Sequence, residues 1–191
     1  MVAAAVGAWT WKGYLDFADQ PIAGLEAGDT LQVAQGDSFA TVLRKLREAG
    51  IDEGHDLQWR LLARRLGAAG SLKVGQYALE PEITPRAVLV MMREGKVISY
   101  RFTIVEGWNI RQLRTALAAA TPLAQETRDV DDSGLMQRLG HPDQHPEGRF
   151  LPETYVYSSG DSDLDLLARA HQAMESALAD AWEARNPDVP L

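Results

Sequence analysis

Two glutamates, Glu147 and Glu153, flank the proline- and aromatic-bearing segment EGRFLPETY. Paired carboxylates near aromatic rings are what chemistry at a glycosidic bond requires, because apolar surroundings raise the pKa of one carboxyl until it can deliver a proton. Acids this close in an irregular stretch also build plain structural corners, and the spacing by itself favours the corner. His141-x-x-x-His145, with Glu147 nearby, holds the donor atoms of a metal site. That spacing puts both rings on one side only in a helix, however, and Pro142 and Pro146 argue against a helix here. No metal site is expected from it. His171 falls on an apolar stripe in mid-helix, where a packed, hydrogen-bonded core histidine is the expected reading rather than a ligand or base.

Other chemistries are excluded more simply. The 191 residues include no cysteine, so there is no thiolate nucleophile, no disulfide framework and no sulfur-based zinc site. G-x-S-x-G, G-x-x-x-x-G-K-[ST] and G-x-G-x-x-G are all missing, which removes the usual nucleotide cradles and the strained serine elbow. The formal charge is −8, so an extended basic surface for nucleic acid is not expected. That charge is uneven: residues 1–120 carry 13 acidic and 14 basic side chains, and residues 121–191 carry 14 and 5.

The elements that must position these residues are well punctuated. Residues 30–33 read as a short strand, Gln35-Gly36-Asp37-Ser38 as a turn ending in a helix cap, and Phe39, Val42, Leu43 and Leu46 recur at helical spacing. Trp59, Leu62, Ala63 and Leu66 form one face of a second helix, and residues 73–79 read as a second strand, giving the order β-α-α-β. Thr84-Pro85 opens a third helix that buries Val88, Leu89 and Met92 and stops at Gly95. Residues 97–105 read as a strand, and Asn109-x-x-Gln112 starts a helix with Ile110, Leu113 and Leu117 inward. Residues 121–140 read as an acidic loop with one short helix around Leu135–Leu139. The three prolines of residues 141–160 predict a largely irregular segment. Residues 161–183 predict a long amphipathic helix whose buried stripe is Leu164, Leu167, His171, Met174, Leu178 and Trp182. Residues 1–11, MVAAAVGAWTW, are uncharged and end at Lys12, which reads as a short apolar helix or as the tail of a membrane anchor with Trp9 and Trp11 at the interface.

Two resemblances order these motifs. VAQGDSFATVL resembles the opening of a LysM module and LKVGQYALEP its close. The LysM resemblance implies binding of N-acetylglucosamine-containing glycans between residues 35–39 and 71–76, with Gln35, Gly36, Asp37, Ser38, Gly75 and Gln76 as contacts. Over nearly the whole chain, KVGQYAL, MMREGKV, FTIVEGWNIRQL, EGRFLPETYVY and the final long helix are together similar to the YceG-like family of MltG-type endolytic murein transglycosylases. Its most specific element is the E-G-x-x-x-P-[DE]-T-Y stretch.

This resemblance implies an α+β protein: an anchor remnant at 1–12, a lead-in at 13–28, a LysM-like module at 29–98 and the helix-rich leading part of a catalytic domain at 99–191. It further implies a single-pass protein of the bacterial inner membrane, with these residues facing the periplasm. Such an enzyme cleaves peptidoglycan strands between N-acetylmuramic acid and N-acetylglucosamine, leaves 1,6-anhydro ends, and uses no cofactor and no metal. Its expected partners are glycan strands, the membrane and cell-wall synthesis proteins, not nucleic acid. The glutamate that acts first as acid and then as base belongs to an I-E-K-E-T motif, which these 191 residues do not contain. The chain is therefore expected to be a fragment that is itself inactive, with no catalytic residue assigned and with Glu147, Phe150, Glu153 and Tyr155 as groove contacts. The alternatives are a non-catalytic peptidoglycan-binding module and an acidic adaptor of the cell envelope.

Overall fold

A computed structural model describes residue 13 and residues 16–186, so the apolar segment 1–11 lies outside the described residues. The fold is α+β, helices with two small antiparallel sheets, and the chain divides into two compact units, Met1–Ile98 and Ser99–Leu191.

In the first unit β1 (Thr30–Val33) pairs with β2 (Gly75–Ala78), Thr30 opposite Ala78 and Val33 opposite Gly75. Between them run α1 (Phe39–Glu48) and α2 (Asp56–Arg65). Helix α1 starts where Ser38 accepts the amide of Thr41, a side-chain oxygen meeting one of the donors that a helix start leaves unpaired. The same device recurs at α3 (Pro85–Glu94), where Thr84 accepts from Ala87, proline occupies the first turn and Gly95 closes the helix at φ 74°. Val42, Leu43, Leu46, Trp59, Leu62, Val88, Leu89 and Met92 meet in one core with Leu31, Val33 and Tyr77. Trp59 is fully buried, its indole donating to the Glu53 carbonyl at 2.9 Å and meeting Phe17 edge-on. The Arg47 guanidinium donates to the carbonyls of Ile51, Glu53 and Gly54 and thereby fastens the α1–α2 connection from within.

In the second unit β3 (Ser99–Thr103) pairs with β4 (Thr154–Ser158), Ser99 opposite Ser158 and Thr103 opposite Thr154. Strand β4 corrects the expectation of a largely irregular 141–160. Its buried residues Tyr155 and Tyr157 alternate with exposed Thr154 and Val156, the period-two signature of a strand, and all three prolines lie before it. Helix α4 (Ile110–Ala119) begins with the expected reciprocal cap between Asn109 and Gln112. Helix α5 (Asp132–Arg138) starts earlier than expected because Asp131 caps Gly134. Helix α6 (Asp163–Glu183) buries Leu166, Leu167, Ala170 and His171. The expected stripe is thus corrected towards Leu166 and Ala170, while Leu178 and Trp182 are 53% and 52% exposed. The core closes over Phe102, Ile104, Leu113, Leu117, Leu135 and Met136.

The acidic connection between α4 and α5 is held from three sides. Arg114 of α4 donates to the carbonyls of Thr127 and Val130 and pairs with Asp132 at 2.8 Å. Arg138 donates to the Glu126 carbonyl. Asp163, 1% exposed in the first turn of α6, accepts the amides of Glu126 and Thr127 and the Thr127 hydroxyl. Among the described residues no helix is long and apolar enough to cross a membrane.

Candidate functional site

The register of the first unit brings two loops to one end of its sheet: Val33 stands opposite Gly75, so the loop leaving β1 and the loop entering β2 emerge together. Gln35 and Gly36 are exposed there. Asp37 is already engaged. Its carboxylate accepts the Ala34 amide at 2.7 Å and the Lys45 ammonium at 2.5 Å, and these bonds, that from Lys45 first, hold it below the ordinary carboxylate range. Ser38 is the helix cap, and Gln76 donates across the sheet to the Thr30 hydroxyl at 3.0 Å. Gly75 sits at φ 144°, and a β-carbon there would stand 2.3 Å from Val97 Cγ1, so its identity is explained by packing. Four of the six expected contacts thus serve the turn and sheet, which leaves Gln35 and the Gly36 backbone as the remaining two, both exposed.

In the second unit the two expected carboxylates separate. Glu147 accepts the Ile110 amide at 3.1 Å, placing its negative charge on the N-terminus of α4, where unpaired amides and the helix dipole stabilise an anion. It is a corner residue. Glu153 instead lies on an open groove of about 490 Å³ where β3 runs out and β4 begins, lined by Thr103, Ile104, Val105, Glu106, Pro152, Glu153 and Thr154. The Ile104 amide donates to the Glu153 carbonyl at 3.0 Å and fixes the backbone on which Glu153 stands. Thr103 and Thr154 share a hydrogen bond at 2.8 Å across the pair, and each hydroxyl keeps capacity for a further partner. Val105 is 45% exposed at the groove wall.

Phe150 and Tyr155, expected as groove contacts, are buried at 6% and 9% exposure. Strand alternation turns Tyr155 inward, and its hydroxyl donates to the Leu151 carbonyl at 2.8 Å. Burial first, then the charge of Glu153, push this phenol above its usual range. Neither ring lines the groove, and Phe150 meets His171 edge-on with centroids 6.2 Å apart. The residues that sequence reasoning missed are Glu106, Thr103 and Thr154; the first lies in an ordinary turn motif, and the threonines meet only through strand register.

The histidines are also redistributed. His145 accepts the Glu147 amide at 3.2 Å. His141 stacks on His171, ring centroids 4.1 Å apart, although thirty residues separate them. His171 is buried as expected, with Nε2 3.2 Å from Gln144 Oε1. Burial and the neighbouring His141 ring lower its pKa.

Comparison with known proteins agrees with the motif order. The family model described as the YceG-like family matches residues 31–189. A solved structure that resembles the chain is a YceG-like protein from Listeria monocytogenes, 18% identical, covering 81% of this chain with a TM-score of 0.34. The chain spans 56% of that protein's length. No curated protein matches. With that match running through both units and across the EGRFLPETY segment, the chain belongs to the YceG-like family, the family of the MltG-type transglycosylases.

Proposed function

We propose that this chain is the strand-holding leading portion of a peptidoglycan lytic transglycosylase, one that cleaves within glycan strands and leaves 1,6-anhydro-N-acetylmuramic acid ends. The observation that carries the reading is the family match over residues 31–189. The groove beside β3 and β4 supplies chemistry suited to such a substrate. Its carboxylates Glu106 and Glu153 accept hydrogen bonds from sugar hydroxyls and acetamido N–H groups, its threonines donate and accept, and Val105 offers an apolar wall to a pyranose face. In this proposal the groove residues orient the strand and none of them acts as the catalytic acid. That role belongs to the glutamate of the I-E-K-E-T motif, which does not occur in residues 1–191. Holding the muramyl C6 hydroxyl and the glycosidic oxygen in one geometry is what lets a single glutamate act as acid and then base, because the attacking group is already tethered to the substrate.

The loop pair of the first unit, with Gln35 and the Gly36 backbone at its rim, acts in this reading as a LysM-like second contact with the same strand. The β-α-α-β order and the meeting of the two loops support it. Residues 1–12 are in this reading the remnant of an anchor that holds both units in the periplasm at the bacterial inner membrane, beside cell-wall synthesis proteins.

Incubation of the 191-residue chain with purified sacculi, followed by pull-down and mass spectrometry of the soluble fraction, tests this assignment. Binding without release of anhydro-muropeptides is the expected result. E106Q and E153Q should each weaken binding about threefold to tenfold, the worth of one or two exposed hydrogen bonds. Release of anhydro products would place the catalytic acid within these residues. Neither binding nor release would overturn the glycan assignment in favour of an envelope adaptor.

A further inference from the structure

Three donor side chains converge where α5 ends and α6 passes beneath: His141, His171 and Glu175 each offer an atom within 4.8 Å of the other two. Their placement follows from local structure. The α5 terminus turns through Gly140 at φ 86°, and the His141 amide donates back to the Met136 carbonyl at 2.8 Å, which fixes where the His141 ring begins. His171 and Glu175 are one helical turn apart on α6 and share a face, with His171 Nδ1 3.8 Å from Glu175 Oε2.

Gln144 sets the electronic arrangement. Its amide oxygen lies 3.2 Å from His171 Nε2 and its amide nitrogen 3.5 Å from His141 Nδ1, so one carboxamide bridges both rings. With Nε2–H of the neutral His171 donated to that oxygen, Nδ1 carries a lone pair towards the Glu175 carboxylate. Two electron-pair donors then face each other at a separation too long for a hydrogen bond, with a second imidazole alongside. An outer hydrogen bond that fixes the tautomer of a ligating histidine is the arrangement metal sites employ.

We propose that His141, His171 and Glu175 form a binding site for a divalent transition ion of the zinc type, with Gln144 orienting the His171 ring. Two imidazoles and one carboxylate suit zinc, cobalt or nickel and not the oxygen-seeking magnesium or calcium. Tetrahedral coordination with bonds of about 2.0–2.2 Å needs donors about 3.3–3.6 Å apart. His171 is already held, so the closure of up to about 1.5 Å falls on the half-exposed Glu175 and the half-buried His141. The His141 ring also turns out of its stack on His171 and gives up the 3.5 Å Gln144 contact at Nδ1, because rings 28° from parallel cannot both aim an in-plane lone pair at one ion. Arg149 acts against a cation here and the Glu175 carboxylate offsets it. The site replaces the His141–His145 pairing considered from sequence, and an ion in it would clamp α6 to the segment that leads into EGRFLPETY.

The test is zinc titration of the untagged chain by calorimetry, with millimolar magnesium present to occupy diffuse acidic positions, together with cobalt absorption spectra. One ion per chain is expected, with the intense visible absorption of tetrahedral cobalt. Substitution of the buried His171 can disturb folding, so H141Q and E175Q carry the test, each folded by circular dichroism and each weakening zinc at least tenfold. H55Q/H145Q should bind as the parent does. Zinc should raise the unfolding midpoint of the parent and not of H141Q. An absence of saturable binding, or binding that neither H141Q nor E175Q weakens, would overturn the proposal.

Discussion

Asp163 is the residue whose removal should reveal most about how the second unit holds together. Its carboxylate is 1% exposed and takes the Glu126 amide at 2.8 Å, the Thr127 amide at 3.1–3.2 Å and the Thr127 hydroxyl at 2.6 Å. Asp163→Ala strands three donors around Thr127, itself 3% exposed. A buried donor left unmade costs about 1–3 kcal/mol, so stranding three, each taken in the lower half of that range, gives a loss of about 3–5 kcal/mol. Against a total stability of about 5–15 kcal/mol that is a large share. For a unit of this size it lowers the unfolding midpoint by about 15–30 °C. Asp163→Asn keeps one acceptor oxygen and lets the hydroxyl turn to accept, so its cost should be nearer 1–2 kcal/mol. The assay is calorimetry with hydrogen exchange read on peptides spanning residues 121–131, since the Glu126 and Thr127 amides themselves report the loss. A midpoint within about 5 °C of the parent, with exchange in that segment still slow, would refute the reasoning.

Glu147→Gln removes the anion from the α4 N-terminus and should cost about 0.5–1 kcal/mol in urea unfolding while leaving sacculus binding within twofold, since Glu147 lies off the groove. Gly75→Ala meets Val97 at 2.3 Å in a backbone region that side chains avoid, so thermal unfolding of the first unit should fall by at least about 2 kcal/mol. The bond from Lys45, then that from the Ala34 amide, hold the Asp37 carboxyl below its ordinary value. This stabilisation is therefore complete above the unfolded carboxyl's pKa and disappears as pH falls through the folded one. An acid titration of unfolding free energy should show a shallower acid limb for Asp37→Asn; identical limbs would contradict the assignment.

The helices of this chain were legible because their signals are local. Ser38, Thr84 and Asn109 with Gln112 satisfy amides three residues away, so cap, proline and periodicity suffice to place α1, α3 and α4. The groove draws part of its lining, Pro152, Glu153 and Thr154, from the EGRFLPETY segment. Strand alternation and burial then turned Tyr155 and Phe150 inward, and Glu147 went to a helix terminus 37 residues earlier in the chain. Proline content concealed β4, whose partner is β3, some 50 residues before it. No local pattern announces Asp163 bound to Thr127, Arg114 to Val130, or His141 stacked on His171, since each pairs groups 16 to 36 residues apart. Local rules govern the sites where a backbone donor and its partner are neighbours in sequence. Which carboxylate faces solvent, which caps a helix and which histidines meet is decided only when distant elements pack and every buried polar group must find a partner.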